Sequence, residues 1–111
     1  MATLLGIVVS GVVSPAWAGF ISGNRLHGLC QSEIGSKDDT YCIGYVTGVV
    51  DAIKGVGKGI NGHEFCSPYG ITARKLYDVV QKWLDDNPQK RHRIASLLIA
   101  MALSETWPCP K

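Results

Sequence analysis

The chain has 111 residues, of which 46% are apolar and 18% charged, and its net charge is +2. That length holds one domain and not two, and so slight an excess of positive charge gives no reason to expect a nucleic-acid partner. A domain this small gains little from burial alone, so its four cysteines point to cross-linking in an oxidising compartment.

Residues 1–18 contain no charged side chain and run through Leu4-Leu5-Gly6-Ile7-Val8-Val9 and Val12-Val13 to Pro15-Ala16-Trp17-Ala18. The closing Ala-Trp-Ala has the small-x-small form that signal peptidase accepts, so the segment reads as a secretory leader cleaved before Gly19. One feature departs from the usual leader: no Lys or Arg precedes the apolar run. The competing reading is a retained anchor, but the run is short for a span of roughly 20 residues and is broken by Gly11 and Pro15. Residues 19–111 are therefore expected to form an exported domain with no membrane span. All four cysteines, Cys30, Cys42, Cys66 and Cys109, lie within it.

Four helices are expected. The first covers about Ser22 to Glu33, with Leu26, Leu29 and Cys30 three and four residues apart. After the polar turn Gly35–Asp39, Asp39 or Thr40 is placed to cap a second helix reaching about Val56. Cys42, Tyr45, Val46, Val49, Ile53 and Val56 give it helical spacing, although Val49-Val50 would also suit a strand. Gly44, Gly48, Ala52 and Gly55 recur about one turn apart. Glycine costs ~1 kcal/mol in a helix interior, so this line predicts close approach of another helix backbone, with Asp51 beside it as a structural acceptor.

The glycines from Gly55 to Gly62 then predict a loose loop that continues to Gly70. Thr72 is a natural N-cap for the third helix, with Ile71 and Leu76 set for a hydrophobic staple. Leu76, Val79, Val80, Trp83 and Leu84 form its apolar stripe. Asn87-Pro88 is expected to end that helix and start the fourth, which would bury Ile94, Leu97, Leu98 and Met101 beside Ala95 and Ala102. Antiparallel neighbours place Cys30 and Cys42 at one end of the bundle and Cys66 and Cys109 at the other. That predicts the pairs Cys30–Cys42 and Cys66–Cys109, worth roughly 3 and 4 kcal/mol in the chain-entropy model. The fold class is thus all-α: a small bundle of about four helices stapled by two disulfides.

Chemistry is hard to place on this chain. A Cys/His hydrolase needs a free thiolate, which a disulfide removes. His27-x-x-Cys30 and His63-x-x-Cys66 could in principle assemble a zinc site, but Cys42 and Cys109 would then be left over. Asp51 has no second carboxylate one turn away. The run Lys90-Arg91-His92-Arg93 is expected to be neutralised across a tight turn by Asp85 and Asp86, or else to face an acidic partner. The reading is a non-catalytic scaffold with no metal and no cofactor.

In order and spacing the landmarks resemble one known group. They are Gly23-Asn24-Arg25-Leu26 leading to Leu29-Cys30, then Cys42-Ile43-Gly44-Tyr45-Val46-Thr47-Gly48-Val49-Val50-Asp51, and Phe65-Cys66-Ser67-Pro68 with Gly70-Ile71-Thr72. Leu84, Asn87-Pro88, Arg91-His92, Ala102-Leu103 and Trp107-Pro108-Cys109 complete the set. The group is the Rap/Tai-type immunity proteins of the type VI secretion system. The resemblance implies an all-helical periplasmic protein, often a homodimer, that protects its cell by binding a cognate peptidoglycan amidase and occluding its Cys/His cleft. The loop Lys58–Glu64, with Lys58, Asn61, His63 and Glu64, is the first candidate for the blocking surface, and the turn Ser36–Asp39 the second. A periplasmic helical chaperone, or an envelope-stress protein without a toxin partner, is the alternative from another class.

Overall fold

The computed structural model describes residues 21–111, so the expected leader and its cleavage point lie outside the described residues. Among those residues the chain forms α1 (Gly23–Cys30), α2 (Lys37–Val56), α3 (Ala73–Asp86), a 3-10 turn (Pro88–Lys90) and α4 (Ala95–Thr106), with no strand. The all-α class holds, and both disulfides join the expected partners, Cys30–Cys42 and Cys66–Cys109.

Local chemistry accounts for most of the helix ends. Ser22 caps α1, its hydroxyl accepting the Arg25 N–H at 3.2 Å, and the helix buries Leu26, Leu29 and Cys30. Thr72 caps α3 as expected, accepting the Lys75 N–H at 3.1 Å. That helix buries Leu76, Tyr77, Val80, Trp83 and Leu84. Helix α4 is apolar almost all round and sits at the centre, with Leu98, Ile99, Ala100, Ala102 and Leu103 fully buried.

Helix α1 ends at Cys30, short of the expected Glu33, and the starts of α2 and α4 also differ from the sequence reading. Helix α2 starts at Lys37, capped by Ser36, whose hydroxyl accepts the Asp39 N–H at 3.1 Å. Asp39 is instead buried, and its carboxylate accepts the Gly35 N–H at 2.9 Å and the Arg74 guanidinium at 3.3 Å. A buried carboxylate requires partners of this kind, and here they tie the α1–α2 turn to the first turn of α3. Asn87-Pro88 does not open α4. The carbonyls of Arg91 and Arg93 accept the Asn24 and Gly23 N–H groups of α1 at 2.7 and 2.8 Å. Those bonds hold the segment out of helix until Ala95. Ile94, expected in the core, is consequently 51% exposed, and Leu97 and Met101 are only half-buried.

The connection from α2 to α3 is a crossover, not a turn. At its start, Lys54 on the last turns of α2 donates to the Phe65 carbonyl at 2.7 Å. At its end, Arg74 meets Asp39 near the start of α2, and the Tyr77 hydroxyl donates to the Cys30 carbonyl. Residues 57–72 therefore travel back along α2, and α2 and α3 begin at the same end of the bundle. Cys30–Cys42 lies at that end, fully buried. Cys66–Cys109 lies at the other, where the Cys66 N–H also donates to the Trp107 carbonyl at 2.8 Å.

The Asp39 clasp carries a pH signature. Hydrogen bonds from Arg74, then from Gly35, hold its carboxyl below the ordinary value of 3.8. A depressed folded value means the stabilisation is complete above the unfolded value and is lost as pH falls through the folded one. Asp39→Asn should lower Tm by several degrees at pH 7, and the gap to the parent should close as pH drops below about 4. Thermal unfolding followed by circular dichroism between pH 2 and 7 checks this.

Candidate functional site

The crossover contains the most unusual backbone in the molecule. Gly57 ends α2 in a left-handed conformation, its N–H donating to the Ile53 carbonyl at 3.0 Å. Three residues later the chain makes a two-residue hairpin turn. Ile60 and His63 pair across it, the His63 N–H donating to the Ile60 carbonyl at 2.8 Å and the Ile60 N–H returning the bond at 3.3 Å. The central residues Asn61 and Gly62 both have positive φ, 51° and 79°. Positive φ at both positions is the type I′ pattern, for which Asn-Gly is the strongest short-range signal.

Two further features fix this tip. Gly59, at φ 73°, lies so close to the returning strand that a Cβ there would come 2.3 Å from the His63 carbonyl oxygen, so only glycine fits. Behind the tip, the Phe65 ring is buried, with the Lys54 ammonium 4.2 Å from its centre. Cys66–Cys109 then joins the segment to the tail that follows α4. The expectation of a loose loop is corrected: the glycines here serve defined turns and a close contact.

Of the residues singled out from sequence, the turn brings Lys58, Asn61, His63 and Glu64 together within one short projection. Lys58, Asn61 and Glu64 are exposed and His63 is half-buried. A shallow hollow of about 320 Å³ separates Gly62, His63 and Glu64 from the tail Pro108–Lys111. The second candidate, Ser36–Asp39, is largely committed to structure, since Ser36 caps α2 and Asp39 is buried against Arg74.

The remaining constellations resolve differently. Cys30 and Cys66, the sulfur halves of both His-x-x-Cys pairs, are disulfide-bonded, and His27 Nε2 lies 2.7 Å from Asp85 Oδ1. Gly44 and Gly48 face outward, and a Cβ on either would meet nothing within 4 Å. The close helix approach that they predicted is therefore not made among the described residues. Asp51 is exposed on the same helix. Sequence reasoning missed Phe65 and Lys54 as the supports of the turn, although Asn61-Gly62 itself was a readable signal.

A family model described as Rap1a immunity proteins matches residues 22–109, nearly all of the described chain. The chain belongs to that family. No curated protein and no solved structure matches it. Rap1a immunity proteins are as a rule non-enzymatic and work by binding a cognate effector, so the question for this Rap1a member is which surface binds. The hairpin tip meets the physical requirement well. It is exposed, polar and held in one conformation, so little conformational entropy remains to be lost on docking.

The two glycine environments make opposite predictions. Gly59→Ala should destabilise the domain by roughly 1–3 kcal/mol through the clash and the positive φ. Gly48→Ala, with open space and helical geometry, should stabilise the isolated chain by about 0.5–1 kcal/mol. Urea unfolding of both variants measures the signs.

Proposed function

We propose that the protein is a periplasmic immunity protein that binds a peptidoglycan amidase delivered by a type VI secretion system and occludes its active site. The observation that carries this reading is the defined hairpin turn within Gly57–Glu64, exposed at Lys58, Asn61 and Glu64, on a member of an immunity family. A peptidoglycan amidase with a Cys/His centre works in an open cleft that must admit a cell-wall peptide. A rigid turn two residues wide can enter such a cleft and exclude the substrate without supplying any chemistry.

Within the turn the roles divide by position. Asn61 at the apex offers both donor and acceptor groups. Glu64 and His63 on the returning strand offer hydrogen bonds to groups lining the cleft wall, and Lys58 on the outgoing strand adds a charge at the rim. The two disulfides require an oxidising environment to form and persist, which supports a periplasmic site of action and the reading of residues 1–18 as an export signal. The reading also includes a homodimer, as the resemblance to the Rap/Tai group implies.

Inhibition of type VI peptidoglycan amidases, beginning with any whose gene neighbours this one, tests the reading. The parent protein should inhibit stoichiometrically and show no hydrolysis of its own. Asn61→Ala combined with Glu64→Ala should raise the inhibition constant at least about tenfold while Tm stays within a few degrees, because truncating central contacts costs on the order of 1–2 kcal/mol each. Replacing both Cys66 and Cys109 by Ser should also weaken inhibition, by loosening the turn. Undiminished inhibition by the Asn61/Glu64 variant would place the blocking surface elsewhere.

A further inference from the structure

The two disulfides sit in opposite surroundings. Cys30 and Cys42 have no exposed surface and belong to the apolar core. Cys66 is exposed and Cys109 half-buried. Both line an open hollow of about 120 Å³, together with Lys54, Gly57, Glu64 and Phe65. Lys54 and Glu64 bring one charge of each sign to it, so no excess of negative charge repels an incoming thiolate. Cys109 also borders the hollow between the hairpin and the tail. A reagent in solvent can therefore approach Cys66–Cys109 directly, whereas reaching Cys30–Cys42 requires the core to open.

The exposed bond is also the covalent hold on the hairpin. Only His63, Glu64 and Phe65 separate the tip Asn61-Gly62 from Cys66. Among the described residues one backbone hydrogen bond also joins the crossover to the tail, from the Cys66 N–H to the Trp107 carbonyl at 2.8 Å. Pro108 and Pro110 flank Cys109 and have no N–H to add to it. Opening Cys66–Cys109 leaves the tail on that single bond and lets the returning strand of the hairpin move. The far end of the crossover is held separately, by Arg74 on Asp39 and by the Tyr77 hydroxyl on the Cys30 carbonyl. The bundle there does not depend on the exposed bond.

We propose that Cys66–Cys109 is a thiol–disulfide exchange site that an external dithiol opens while Cys30–Cys42 stays closed, and that opening it frees the hairpin tip. One thiolate of the dithiol attacks the Cys66 sulfur, the more accessible side, because exchange rates follow access as well as thiolate chemistry. A mixed disulfide forms, and the Cys109 sulfur leaves as a thiolate and takes up a proton. The second thiolate of the reagent then attacks the reagent's own sulfur in that mixed disulfide. Cys66 leaves as a thiolate and is protonated in turn. The protein gains two electrons and two protons, and the dithiol loses the same as it becomes a disulfide. The product is a second redox state in which one surface feature is mobile and the core is intact. The inference does not depend on what the tip binds.

Dithiothreitol titration of the oxidised, folded protein tests it, with iodoacetamide trapping of free thiols and peptide mass mapping. Cys66 and Cys109 should be labelled at least about a hundredfold faster than Cys30 and Cys42, because the buried pair waits on opening of the core. In the resulting two-thiol species the amides from Ile60 to Glu64 should exchange hydrogen at least about tenfold faster than in the oxidised protein, while those of α1 and α3 keep their rates. Cys66→Ser combined with Cys109→Ser should reproduce the faster tip exchange without any reductant. The parent protein carries the decisive readouts, so they stand even where that variant folds poorly. Simultaneous labelling of all four cysteines, or earlier labelling of Cys30 and Cys42, would overturn the proposal. So would a two-thiol species whose tip exchanges at the oxidised rate. No amidase enters these measurements, so failure of the exchange site and failure of the immunity reading are separately visible.

Discussion

The joint between the crossover and the end of α4 governs the rest of the molecule. Cys66 is covalently bonded to Cys109, and its N–H donates to the carbonyl of Trp107, two residues before Cys109. Without that joint, residues 57–72 would be a long connection along a bundle already closed at its other end by Cys30–Cys42. With it, the crossover divides into two short spans. One carries the hairpin tip, and the other returns to cap α3 at Thr72. Buried Phe65, under the Lys54 ammonium, is the apolar counterpart of the covalent joint. A small domain cannot hold a protruding loop by core packing alone, and here one disulfide and one aromatic ring hold it.

The parts of the fold that depend on neighbours within a turn were legible in the sequence. Thr72 and the Leu76–Leu84 stripe defined α3 almost to the residue, and the cysteine pairs are those expected, although α2 and α3 run parallel through a crossover and not antiparallel as that pairing assumed. What was missed depended on partners far along the chain or on glycine geometry. Nothing near Asp39 announces that Arg74, on a different helix, neutralises it, so Asp39 read as a cap. Nothing near Pro88 announces that the first N–H groups of α1 take the carbonyls of Arg91 and Arg93, so α4 was started too early and Ile94 placed inside. The loop shows a different failure. Glycine density suggests looseness, yet Asn61-Gly62 is a specific turn signal and Gly59 is required by a carbonyl close to its α-carbon.

The outward line of Gly44 and Gly48 shows how structure can sharpen an open question. Residues that weaken a helix should be compensated somewhere, and among the described residues nothing lies within 4 Å of where their Cβ would be. The exposed features of the protein include a polar turn held by Cys66–Cys109 and a helix face of small residues on α2. A fold whose four sulfurs are bonded to one another and whose surface is built in this way offers shape and charge to its surroundings. That is consistent with a family that acts by binding.

Hydrogen exchange on the complex with the cognate amidase tests the central claim most directly. The tip amides, Ile60 to Glu64, should gain strong protection on binding, while the Lys90–Arg93 segment should exchange as in the free protein. A complex of full affinity in which the tip exchanges as fast as it does in the free chain would contradict the account.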